Sequence, residues 1–239
     1  MKRLHMDKRD GLAWIALDDG KANAIQEELL SQLDVALDTA ERDPDLSAVV
    51  LAGRDGFFSA GMDLKLLPTL PTPELHKTLT HLARTTTRLF CFPKPVVAAI
   101  TGHAVAGGAV LALCCDARVA AVGTYRIGLS EVSIGIAMPS FIIGFARETL
   151  PNAMVAPMLL HGTLMEPEEA LRFGVVHELS ELSEVRNRAG AQARKLGELK
   201  LSAYAETKRR LRGHAAQQNL EKLNEEIDAF AQSFRAPLR

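Results

Sequence analysis

The sequence predicts an α/β fold with largely parallel strand pairing, and three observations carry that prediction. Short apolar runs rich in small and β-branched residues alternate with helical stretches, glycine-bearing loops separate them, and strand formers almost vanish after Glu184. A strand that recurs after a helix ordinarily runs parallel to its predecessor, since the helix carries the chain back to the same end of the sheet.

The first apolar run lies in "GLAWIALDDGKANAI" and ends in a turn. In "IQEELLSQLDVALDTAERD", Leu29, Leu33 and Leu37 recur at four-residue intervals among acids and amides, which predicts an amphipathic helix. "SAVVLAG" is a buried strand, followed by the loop "RDGFFSAGMDL". The same order returns in "KPVVAAITG", the pair Gly107 and Gly108, and an apolar helix. "ARVAAV" then leads through "GTYRIGLSEVSIGI" to an apolar stretch after Pro139, and "PEEALRFGVVHEL" adds a short helix and a strand. The Ala-, Lys-, Arg-, Glu- and Gln-rich remainder predicts C-terminal helices lying against the core or against another subunit. The expected division is a core at 1–183 and a helical region at 184–239, with no low-complexity linker and no exact repeat.

Composition narrows the function. With 28 basic and 29 acidic residues, no basic stripe offers itself to nucleic acid. Cys91, Cys114 and Cys115 lack paired zinc spacing and read as reduced packing residues of an intracellular protein. The charged N-terminus has no apolar signal core behind it, and no run approaches the roughly 18 apolar residues of a membrane span, so a cytoplasmic protein without membrane association is expected. His76 and His81 lie on different helical faces and no H-E-x-x-H occurs, so no metal is expected. Without a G-x-S-x-G elbow a nucleophilic hydrolase has no support.

One stretch, "GHAVAGGAVLALCCDARVA", places paired glycines at a helix start inside an apolar environment. Gly102 and Gly107 stand at P-loop spacing, but Gly108 and Ala109 occupy the positions where a phosphate cradle needs Lys and Ser or Thr. Two readings remain. Helix-start N–H groups lack intrahelical acceptors and hold negative oxygens well, with Gly107 and Gly108 letting a ligand approach; alternatively the small residues serve tight packing.

"FFSAGMDLKLL", "KPVVAAITGHAVAGG" some forty residues later, "CDARVAA" and "IGLSEVSIGI" together resemble the crotonase superfamily, the enoyl-CoA hydratase/isomerase family, over nearly the whole chain. The resemblance implies a spiral of ββα units with C-terminal helices that build homotrimers or hexamers. It also implies an acyl-CoA thioester substrate, with no cofactor beyond the coenzyme A the substrate carries. By position it assigns the Met62 and Gly107 amides to the thioester oxygen, with side-chain variation tolerated at Met62. Where hydratases carry a first glutamate this chain has Val110, while the second aligns with Glu131. One carboxylate suffices to move a proton from the α to the γ carbon, so the resemblance points to the 3,2-enoyl-CoA isomerase branch. Enoyl-CoA hydration or another crotonase chemistry is the alternative, and a non-catalytic acyl-CoA-binding subunit is the reading from another class.

Val110, Ile134, Ile136 and Phe141 are expected to keep water from the dienolate, and burial among them to raise the Glu131 carboxyl toward neutrality. Ala60 aligns with the residue whose carbonyl meets the adenine, and Ala24 with the loop lining the coenzyme A cleft. Lys65, or the Lys208, Arg209 and Arg210 cluster, is a candidate for the coenzyme A phosphates. Asp63 and Asp116 read as structural, and His103 as packed or hydrogen-bonded. Segments 66–90 and 139–150 shape the acyl pocket, and the sequence does not place them.

Overall fold

In the computed structural model, which describes residues 3–235, the chain repeats a strand–strand–helix unit. β1 (Leu4–Arg9) and β2 (Leu12–Leu17) lead into α1 (Glu27–Arg42); β3 (Ala48–Ala52) and β4 (Gly56–Ser59) into α2 (Thr72–Phe90). β5 (Val96–Ile100) and β6 (Gly102–Val105) lead into α3 (Gly107–Cys114), and β7 (Ala117–Ala121) and β8 (Ile127–Gly128) into α4 (Ser140–Thr149). The chain continues with α5 (Asn152–Leu160), β9 (Leu164–Met165), α6 (Pro167–Arg172), β10 (Glu178–Ser180), α7 (Val185–Gly197) and α8 (Leu201–Ser233).

From β3 to β8, the first strand of each unit joins a large sheet ordered β1-β2-β3-β5-β7-β10, and the second joins a small sheet ordered β4-β6-β8-β9. All pairings are parallel except β1 with β2 and β8 with β9. Each turn of the spiral from β3 to β8 thus adds one strand to each sheet, and α3 packs beside β4 and β6 of the small sheet.

Two departures from the sequence reading have local causes. The charged N-terminus is a strand: Asp10 and Gly11 take left-handed φ values of 53° and 71°, making a two-residue turn that folds β1 back on β2. "RDGFFSAGMDL" is not wholly a loop, because Gly56–Ser59 pairs with β6.

β3 and β5 are buried along their full lengths, since both sheet faces are covered. One face packs against α1 to α4; the other, bearing Trp14, Val50, Val97 and Val119, packs against Val185, Ala189 and Ala193 of α7. Complete burial of a phenylalanine such as Phe90 or Phe145 contributes roughly 1.5–3 kcal/mol.

α8 lies across α2 and α4 and is anchored by Asp116. The Asp116 carboxylate accepts hydrogen bonds from the Val96 N–H (2.8 Å), Lys208 Nζ (2.7 Å) and Arg212 Nη1 (2.8 Å). Lys208 is therefore buried in an ion pair, while Arg209 and Arg210 both pair with Glu206. Among the described residues no helix is long and apolar enough to cross a membrane.

Candidate active site

The loops that follow β4 and β6 meet at one point. Asn23, at a left-handed φ of 52°, donates from Nδ2 to the carbonyls of Leu17, Phe57 and Phe58, which fixes the loop after β2 beside β4. Ser59 Oγ donates to the Asn23 carbonyl (2.8 Å) and accepts from the Gly61 N–H (3.1 Å). The Ile25 N–H donates to Gly61 O, and the Asp63 N–H donates to Ile25 O, so the intervening Met62 N–H is left outside this ladder.

Gly61 has a φ of 84°, and a Cβ there would lie 2.9 Å from both Ala106 Cβ and Gly107 N. Only a glycine allows the two loops to touch without displacement. Ala106 turns the chain from β6 into α3 at φ 52° and ψ −129°, a conformation that costs a non-glycine residue about 1–3 kcal/mol. Its N–H is held by Gly128 O (2.9 Å). Gly107 is the first helical residue, and a Cβ on it would stand 3.5 Å from Met62 N. Among the described residues neither the Met62 nor the Gly107 N–H has an acceptor.

The second glycine of the pair has a different task from the one expected. A Cβ on Gly108 would fall 2.1 Å from Ser59 O, so this glycine lets α3 pack against β4 and does not serve ligand approach.

The two amides belong to a pocket of about 160 Å³. Ala60, Met62 and Leu64 form one side, Val105, Ala106 and Gly107 another, and Ser130, Glu131, Ile134 and Ile136 a third. Leu82 of α2, Ile142 of α4, Phe230 of α8 and Phe234, the C-cap of α8, complete the lining.

Glu131 opens the 3-10 turn Glu131–Ile134 and is 8% exposed. Burial pushes its carboxyl up to about 7, against the opposing pull of hydrogen bonds from the backbone at Glu131 and Ser130. Its Oε2 is buried without a hydrogen-bond partner among the described residues. No other ionisable side chain lines the pocket among the described residues.

Of the residues singled out in the sequence, Ala60, Met62, Gly107, Glu131, Ile134 and Ile136 converge here. Val110 and Phe141 are buried but do not line the pocket; Phe141 stands edge-on behind Phe230 at 6.3 Å. Ala24 lies in the loop after β2, its N–H bonded to the Asp19 carboxylate, and Lys65 is exposed. Asp63 braces its own loop, accepting from the Lys65 and Leu66 N–H groups and from Gln26 Nε2. His103 Nδ1 accepts from the Arg126 N–H, and its ring lies against Phe57 and Tyr125. The Cys114 and Cys115 thiols are fully buried and pushed up, Cys115 to about 12, which suits packing rather than nucleophilic attack.

The sequence reading missed Phe230 and Phe234. Leu220, Leu223, Ile227, Phe230 and Phe234 recur at intervals of three and four residues and were the available signal, diluted by the charged residues between them.

Known proteins share this fold. The family model described as enoyl-CoA hydratase/isomerase matches residues 7–237. A Thermus thermophilus protein bearing an enoyl-CoA hydratase name is 39% identical over 166 residues, covering 68% of this chain and 65% of that protein, just under two thirds of its length. The structure of a Mycobacterium tuberculosis enoyl-CoA isomerase superposes with a TM-score of 0.85 at 34% identity, covering 96% of this chain and 98% of that one. Human mitochondrial Δ3-Δ2-enoyl-CoA isomerase gives a TM-score of 0.88 at 28% identity, covering 98% of this chain and 91% of its own. With the sequence match running through every unit of the spiral and the fold shared from end to end, this chain belongs to the enoyl-CoA hydratase/isomerase family.

Proposed function

We propose that this protein is a 3,2-enoyl-CoA isomerase in which Met62, Gly107 and Glu131 perform the chemistry. The observation that carries the proposal is the pocket lining, where Glu131 is the sole ionisable side chain among the described residues, beside two amides without acceptors.

The thioester oxygen sits between the Met62 and Gly107 N–H groups. The Glu131 carboxylate takes a proton from the α carbon, and charge moves onto that oxygen as a dienolate forms. Donors aimed at such a developing charge are worth about 3–4 kcal/mol each in transition-state stabilisation. The Glu131 carboxylic acid then returns the proton to the γ carbon, moving the double bond from position 3 to position 2 with no net change in protonation. A carboxyl near neutrality suits both halves, since its acid and base forms differ little in free energy at working pH. The apolar surroundings exclude water that would otherwise quench the dienolate. Ala24, Ala60 and Lys65 remain assigned to the coenzyme A portion, the substrate's own carrier and the only cofactor involved.

Hydration of a 2-enoyl-CoA is the second reading, favoured by the name of the Thermus thermophilus relative. It requires a second group to position water, and Val110 holds the place of that group.

The test is conversion of 3-hexenoyl-CoA and hydration of 2-hexenoyl-CoA, each with wild type and Glu131→Gln. Isomerisation should dominate and fall by about 10²–10⁴-fold in the variant. Hydration at the faster rate, or isomerisation indifferent to the substitution, overturns the assignment.

A further inference from the structure

Resting on the reading of this pocket as the acyl site, we infer that the enzyme selects short acyl chains of about six carbons, and that Phe230 of α8 and Phe234, which caps its C-terminus, set the limit. The pocket measures about 160 Å³. A dry protein cavity of about 150 Å³ holds benzene, six carbons. An enoyl group whose first four carbons lie beside Met62, Gly107 and Glu131 therefore has space for roughly two more.

Leu82, Ile142, Phe230 and Phe234 contribute apolar wall to the pocket from elements other than the two glycine loops. Phe230 and Phe234 are 6% and 3% exposed and meet edge to face at 5.3 Å. Behind them the contacts run on from Phe230 to Phe141 at 6.3 Å, Phe141 to Phe145 at 5.9 Å, and Phe145 to Phe90 at 4.8 Å. Either ring must displace its neighbours to swing aside. α8 is also pinned here: the Glu226 carboxylate accepts the Ser140 N–H at 2.7 Å and the Ser140 hydroxyl, at the N-terminus of α4. The wall is a packed one, and a chain of ten or twelve carbons enters only if α8 shifts.

The experiment measures kcat/KM for 3-enoyl-CoA esters of six and twelve carbons, and in parallel calorimetric Kd values for hexanoyl- and dodecanoyl-CoA, with wild type, Phe230→Ala and the milder Phe230→Leu. Wild type should prefer six carbons over twelve by at least about tenfold in kcat/KM, and should bind dodecanoyl-CoA no more tightly than hexanoyl-CoA. A pocket able to bury the longer chain would gain about fourfold in affinity per methylene. Phe230→Ala removes a six-carbon ring and should bring the two chain lengths within about threefold; Phe230→Leu, which keeps the site filled enough to fold, should move the ratio in the same direction. Equal or better use of twelve carbons by wild type, or an unchanged ratio in folded variants, overturns the inference. Should no ester turn over, the isomerase reading fails while the binding ratio still decides the chain-length limit.

Discussion

In the proposed mechanism, Glu131 is the residue on which chemistry and stability oppose each other. Its carboxyl is raised from 4.5 to about 7 by burial, so the folded state binds a proton that the unfolded state has already released between those values. Stability accordingly falls as pH rises from about 4.5 to 7 and is flat above, because ionising the buried group costs about 1.4 kcal/mol per pKa unit. Glu131→Gln should leave the melting temperature nearly unchanged at pH 4.5 and raise it at pH 8, by a gain of up to about 3 kcal/mol. Thermal denaturation at the two values checks this; a variant less stable at pH 8 would mean that the carboxylate is held by groups other than those described. The residue type and position were legible in "IGLSEVSIGI" only through the family resemblance, since the sequence alone reads this glutamate as a surface loop acid. It shares its pocket with Ile134, Ile136 and Phe230, a residue of a helix about a hundred residues later.

At the scale of elements, the site depends on two loops that meet because Gly61 carries no side chain where it faces Ala106 and Gly107. Gly61→Ala would place a methyl 2.9 Å from Ala106 Cβ and Gly107 N while forcing alanine to a φ of 84°. The expected cost is about 1–3 kcal/mol of stability, with a larger proportional loss of kcat than of substrate affinity, since the two amides are driven apart where the charge develops. Urea denaturation and steady-state kinetics on the same preparation check both; full activity would show that the amides do not act together. The strands bearing these loops were hard to read. β4, β6 and β8 are four, four and two residues long, too short for a period-two pattern. β1 was hidden differently: only Leu4 and Met6 of its six residues are apolar, although the Asp10–Gly11 pair that turns it was a strong hairpin signal.

For the molecule as a whole, the decisive contact is between the last helix and the end of α3. Asp116 accepts from Lys208 and Arg212, whose charges are otherwise surrounded by protein, and Arg212 also donates to Phe90 O. Asp116→Ala leaves two buried cations without their carboxylate and should cost roughly 3–5 kcal/mol in urea denaturation. It should also loosen α8, weakening chain-length discrimination along with stability. A variant with wild-type stability would show that apolar packing alone holds the helix. α8 thus belongs to the protein's own pocket. We further propose that the C-terminal region joins subunits into a trimer or hexamer, which light scattering on the eluting protein would test.

The sequence by itself determined the alternation of strands and helices and the glycine loops, because periodicity and φ requirements are local, while the single carboxylate was reached only through the family resemblance. Only the tertiary structure decided that Gly108 packs against Ser59 while Gly107 lines the pocket, that Lys208 is spent on Asp116, and that Phe230 and Phe234 line the same pocket as Glu131. Each of those outcomes is a contact between segments some fifty to a hundred residues apart, and it is set by close packing, which leaves no trace in the local spacing of the chain.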